Sequence, residues 1–322
     1  MINRASDDVV TYSYTYDDGA SAGESGYTGC ELDEAGSDSK TCLVSINIDR
    51  KMAAPIYVYY ELDNFFQNHR RYVRSRSSDQ LTGVAVSPDS NCDPLQDLDG
   101  VDLNPCGLIA NSLFNDTFSL TNHVMVETGI AWESDQSDRF SQPDDFVYAK
   151  VGGTAACSSS NNTDANCKAC LGDGKSPCGI YVDGSDEYLY FYPDDDDTLY
   201  LYELYPDIVS PIEGVMNEHF QVWMRTAGLS TFRKLYGRIE SDLAVGSHLT
   251  FNVTAAFYVD GFDGKKRIVV STLSRFGARN EVLGWAYIAI GTLSLAMAVG
   301  FFVKDRTHPR KLGDTRFLQN YR

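Results

Sequence analysis

The chain has 322 residues, 12% aromatic and 22% charged, with a formal net charge of -18. That length supports a substantial core and that composition excludes wholesale disorder. A surface of this sign repels phosphate backbones, which excludes nucleic acid as a partner.

From the N-terminus, residues 1–29 are acidic and rich in Tyr, Ser and Gly, and TYSYTY reads as a strand by alternation. Cys30 and Cys42 bracket the acidic stretch ELDEAGSDSKT, which suits a loop closed by one bridge. LVSINI (43–48) and PIYVYYEL (55–62) carry strand composition. In DNFFQNHRRYVRSR (63–76) the period of two is lost, and Phe65, Phe66, His69, Tyr72 and Val73 fall at helical spacing. Arg70, Arg71, Arg74 and Arg76 form a basic cluster there. With so many carboxylates available, ion pairing with Glu61, Asp63, Asp79 or other acids of the domain is expected of it, ahead of contact with lipid phosphate.

Residues 84–107 read as a loop, with Cys92 and Cys106 fourteen apart. Residues 153–179 form a low-hydrophobicity insert whose four cysteines are Cys157, Cys167, Cys170 and Cys178. Four thiolates could hold zinc, and CKAC could be a redox pair. In an oxidising compartment two disulfides are the better reading. PDDDDT (193–198) lacks the spaced oxygens of a calcium loop and reads as a solvated turn. HFQVWM (219–224), HLTFNVTAAFYV (248–259) and RIVVSTLS (267–274) read as strands. Many short strands between Gly, Asp and Pro turns predict a mainly β fold, an antiparallel sandwich with short helices.

Val282–Val303 then runs 22 residues without a charge, Pro, Asn or Gln. About 20 such residues cross a bilayer core, and no amphipathic stripe marks a core helix. Gly284, Gly291 and Ala298 recur every seven residues on one face, the pattern that lets another helix approach closely in lipid. Residues 304–322 form a basic tail, and five Lys or Arg in the 15 residues after the span against three in the 15 before it (Arg267, Arg275, Arg279) place that tail in the cytosol. All eight cysteines precede the span, as do three glycosylation acceptors, Asn115-Asp-Thr117, Asn161-Asn-Thr163 and Asn252-Val-Thr254. Residues 1–281 are therefore expected to be lumenal or extracellular and disulfide-bonded.

No catalytic constellation stands out. The five histidines show no ligand spacing, and no GxSxG, P-loop or GxGxxG sits in strand–turn–helix context. No cofactor is expected. A membrane-anchored receptor or adhesion ectodomain, or a lumenal redox or metal enzyme built on CKAC, are the alternatives that residue types alone leave open.

Several long strings narrow this. PIYVYYELDNFFQNHRRYVRSR (55–76), PCGLIANSLFNDT (105–117), VWMRTAGLSTFRKLYGRI (222–239) and HPRKLGDT (308–315) resemble, in order, the cell cycle control protein 50 family. The resemblance implies an accessory (beta) subunit of a type IV P-type ATPase, a phospholipid flippase. Such a subunit has no catalytic activity of its own. It binds the ATPase, permits its exit from the endoplasmic reticulum and supports lipid transport. The family architecture is a cytosolic tail, a first membrane helix, a glycosylated exoplasmic domain, a second membrane helix and a short tail. By that pattern Val282–Val303 is the second helix, and the tail and first helix are expected ahead of the present Met1. YTGC (27–30) resembles the family's first cysteine motif, and the resemblance implies a Cys92–Cys106 disulfide. The Cys157–Cys178 insert has no counterpart in the resemblance, and its pairing rests on spacing alone.

Overall fold

A computed structural model of the chain describes residues 9–17, 30–34, 38–84, 86–144, 146–150, 179–193, 197–273 and 281–308. The Cys-rich insert at 157–178 and the tail beyond 308 lie outside the described residues. The chain divides into a body, Thr11–Thr272, and a second unit that contains the apolar helix.

The body is built on a five-stranded antiparallel sheet. Its strands are β1 (Thr11–Thr15), β3 (Ile56–Asp63), β7 (Met125–Val126), β12 (Phe232–Ile239) and β14 (Lys265–Ser271), in the order β1-β14-β3-β12-β7. The period-2 pattern sets which face is covered: Ile56, Val58, Tyr60 and Leu62 of β3 are all buried. A three-stranded sheet, β2 (Lys40–Asn47), β13 (His248–Ala255) and β6 (Thr117–Leu120), repeats this with Leu249, Phe251, Val253 and Ala255 inward. The two sheets meet where Phe118 of β6 packs edge-on against Tyr236 of β12, 4.7 Å between centroids. Phe118 N–H also donates to the Tyr236 hydroxyl at 3.1 Å.

Two smaller sheets flank these. β8 (Val147–Lys150), β9 (Gly179–Asp183) and β10 (Asp186–Phe191) form one, in the order β8-β10-β9. β4 (Asp97–Leu98), β5 (Val101–Asn104) and β11 (Thr198–Tyr200) form the other, with β11 parallel to β5. Residues 84–107 are thus not simply a loop. Asp99 (φ 54°) and Gly100 (φ 86°) make a two-residue hairpin turn between β4 and β5, the left-handed geometry that Asp-Gly adopts readily.

The short helices are α1 (Arg70–Arg74), α2 (Ser78–Leu81), α3 (Glu133–Asp138), α4 (Leu201–Leu204) and α5 (Glu218–Met224). The last corrects the strand expected at HFQVWM. The Asn217 side chain accepts Phe220 N–H at 3.0 Å and caps the helix, and Phe220, Trp223 and Met224 fall on one buried face. The strand expected over 248–259 also stops early, at Ala255. There Ala256 and Phe257 give their N–H groups to Asp116 Oδ1, at 2.7 and 2.6 Å, instead of to a neighbouring strand.

The second unit contains α6 (Glu281–Thr307), in which Gly284–Thr307 is long and apolar enough to cross a membrane.

Candidate partner-binding surfaces

Beneath the surfaces lies a charged core that fixes the body. Lys266 of β14 is 1% exposed and Asp116 is fully buried; their Nζ and Oδ2 atoms are 2.8 Å apart. The Tyr16 hydroxyl donates to the same Oδ2 at 2.7 Å, and Lys266 Nζ donates to Phe257 O at 2.6 Å. Burial, and then the Asp116 charge, push the Tyr16 phenol well above its ordinary range. A buried charge persists only when paired and hydrogen-bonded, and here the 114–118 segment, residue 16, β14 and the end of β13 all meet that condition together. Lys234 of β12 solves the same problem differently. Its Nζ donates to the carbonyls of Val222, Trp223 and Arg225 at 2.9, 2.8 and 2.6 Å, closing the C-terminus of α5. Burial lowers this amine to about 7.

The segment 64–76 stands on this core. Asn64 takes a left-handed φ of 59°, and its Nδ2 donates to Phe262 O at 2.6 Å. Phe65 turns inward against Trp223, Phe232, Phe257 and Phe262, with centroids 5.4 to 6.3 Å away. Gln67 Oε1 accepts Ala227 N–H at 2.9 Å. The Tyr72 hydroxyl lies 2.8 Å from Ser112 Oγ. What remains, His69, Arg70, Arg71, Val73 and Arg74, points outward from α1.

The far end of α1 is joined to the disulfide loop. Cys92 is bonded to Cys106, with Cα atoms 5.6 Å apart, and packs with Leu103 in a small apolar cluster. Ser75 Oγ donates to Cys92 O at 2.9 Å and accepts Leu108 N–H at 2.8 Å. Gly107 has φ 102°, and a Cβ there would lie 2.3 Å from Ser75 O, so only glycine permits this approach. Gln80 Oε1 accepts Cys106 N–H at 2.8 Å. Between α1 and the Ser90–Cys92 turn lies an open cavity of about 690 Å³, lined by His69, Arg70, Arg71 and Arg74 on one side and Ser90, Asn91 and Asp93 on the other.

The ion pairing expected for this cluster does not occur among the described residues. Glu61 is taken by Arg233 and by Arg267, the latter at 2.6 Å, and Asp63 lies 3.6 Å from Arg267. Cross-strand neighbours on the sheet hold Glu61 and Asp63, and Asp79 forms no ion pair among the described residues.

Of the other residues singled out in the sequence, Cys30 is bonded to Cys42, with Cα atoms 5.7 Å apart. Asn115 is half-buried just before β6, and Asn252 is half-buried on the face of β13 opposite its core residues. Asn161, Cys157, Cys167, Cys170 and Cys178 lie outside the described residues. Gly284, Gly291 and Ala298 lie along one side of α6, and a Cβ at either glycine would meet no described atom within 4 Å. Among the described residues, no three His, Cys, Asp or Glu side chains come together to hold a metal.

Fold and surfaces define a disulfide-bonded β-domain accompanied by a helix of membrane-spanning length. Residues 2–311 match the model of the LEM3 (ligand-effect modulator 3) family / CDC50 family, and the chain belongs to that family. It is 35% identical over 291 residues to ALA-interacting subunit 3 of Arabidopsis thaliana, covering 88% of this chain and 69% of that protein. Cell cycle control protein 50A of Bos taurus is 33% identical over 280 residues, covering 81% and 67%. Cell cycle control protein 50B of Homo sapiens is 35% identical over 280 residues, covering 81% and 69%.

Proposed function

We propose that this chain is the non-catalytic accessory subunit of a phospholipid-translocating type IV P-type ATPase. The observation that carries the proposal is a family match running over 2–311 together with relatives whose names describe an interacting subunit. In this reading α6 crosses the membrane, residues 1–281 are lumenal or extracellular, and 304–322 are cytosolic. The ATPase supplies the ATP site and the lipid path. This chain supplies a rigid exoplasmic cap that supports folding of the complex, its exit from the endoplasmic reticulum and lipid flipping.

The residue assignments follow. Asn115, Asn161 and Asn252 are glycan acceptors. Cys157, Cys167, Cys170 and Cys178 pair among themselves. Gly284, Gly291 and Ala298 face an ATPase helix, because small side chains let two helices pack closely where lipid offers no hydrophobic drive. Support comes from the apolar character of α6 and from a body whose buried charges are satisfied internally, leaving its surface available for contact.

Affinity purification of the tagged full chain from detergent-solubilised membranes tests this. A stoichiometric P-type ATPase in the eluate is expected. An eluate without one sinks the proposal.

A further inference from the structure

The chain holds 45 Asp and Glu against 27 Lys and Arg, so acids outnumber the cations that could pair with them. The arginines around the sheets use them: Arg233 and Arg267 share Glu61, Arg225 takes Asp135 and Arg238 takes Glu240. Arg70, Arg71, Arg74 and Arg76 are exposed, and none forms an ion pair among the described residues. They are nonetheless held in place. Phe65 and Tyr72 anchor the inner side of the turn, and Ser75 joins its end to the Cys92–Cys106 loop. The turn that carries these four side chains has had part of its ordering cost met before any partner arrives.

The cavity beside the array suits a carboxylate. Arg70, Arg71 and Arg74 line one wall, and Ser90 and Asn91 add neutral polar groups on the other. The acid of that wall, Asp93, already accepts Gln96 Nε2 at 2.8 Å. Phe66, 55% exposed, and Val73, 37% exposed, interleave with the arginines. All four cations are Arg and none is Lys. Arg with aromatic and apolar neighbours is the composition of a protein interface core, where Lys is depleted, and the planar fork takes carboxylates two-pronged.

We propose that the α1 face docks an acidic, carboxylate-bearing segment of the ATPase subunit, an inference that rests on the subunit reading above. Charge complementarity gives the occupant its sign, and the Phe66 and Val73 side chains favour a polypeptide over a lipid headgroup or free phosphate.

The test places a photo-crosslinking benzoylphenylalanine at Val73 of the full chain, co-expressed with its ATPase and irradiated in intact membranes. Mass spectrometry is expected to find a single ATPase peptide carrying at least two Asp or Glu. Adducts to lipid, to a second copy of this chain or to an ATPase peptide without acids overturn the proposal, as does the absence of any adduct. In parallel, the triple variant R70Q/R71Q/R74Q should lower ATPase recovery about tenfold at near-physiological salt, with an unchanged unfolding midpoint. Equal recovery by variant and wild type overturns the docking assignment alone. Failure of the wild type to recover any ATPase overturns the subunit reading and the docking assignment together.

Discussion

Lys266 and Arg71 are both cations in an acidic chain, and the fold treats them in opposite ways. Lys266 is sealed inside the body against Asp116, Phe257 O and the ring of Tyr16. Arg71 is exposed at the mouth of the cavity it shares with Asp93, and it forms no ion pair among the described residues. The difference shows what each charge is for. A buried pair adds little over an apolar pair of equal volume, but losing one partner leaves a charge stranded, so it locks one arrangement of four segments. An exposed array without ion pairs among the described residues contributes almost nothing to stability, and the docking proposal gives it a role in contact instead.

Asp116→Ala breaks that comparison most severely. It strands Lys266 and removes an acceptor from Tyr16, Ala256 and Phe257, and should cost about 3–5 kcal/mol by thermal unfolding of the full chain in detergent. A loss under about 1 kcal/mol would mean Lys266 finds water or another acceptor. Opening the Cys92–Cys106 loop with a Cys92→Ser, Cys106→Ser pair should cost about 3 kcal/mol, as expected for a closed loop of this length. It should also free the end of α1, so protease accessibility near Arg74 should rise; unchanged proteolysis would show that Ser75 and Gln80 hold the turn unaided.

Lys234 sharpens the comparison, because it is buried beside carbonyls with no carboxylate partner among the described residues. Its folded value, about 7, lies below the 10.5 of a free lysine. Between those two values the unfolded chain binds one proton more than the native chain, so stability should rise with pH from about 7 to about 10. Lys234→Met should flatten that rise; an identical slope in the variant would assign the pH dependence to other groups. The smallest effect is expected at the exposed array: Arg71→Gln should change stability by no more than about 0.5 kcal/mol. A larger loss would make α1 a structural element and remove the distinction.

Much of this was legible in the residues. The alternation of PIYVYYEL and HLTFNVTA marked β3 and β13, and the uncharged run from Val282 marked α6. HFQVWM misled because six residues carry too little periodicity to separate strand from helix. The cap Asn217 and the first-turn acid Glu218 were the available signal for α5, and they lie at or just before its edge. β12 was hidden for another reason. Lys234 occupies an inward position between Phe232 and Tyr236, and a lysine there reads as surface until the carbonyls of α5 are known to receive it. The Asp99-Gly100 hairpin was readable and was masked by the polar run around it. The unpaired arginines could not be foreseen, since pairing depends on which cation a strand register places opposite Glu61, and that is a tertiary fact.

The most direct measurement is ATP-driven phospholipid translocation in proteoliposomes holding the ATPase with or without this chain. Robust translocation only when both are present, and no ATP hydrolysis by this chain alone, is the predicted result. Equal translocation by the ATPase without it, or hydrolysis by the isolated chain, would contradict the account.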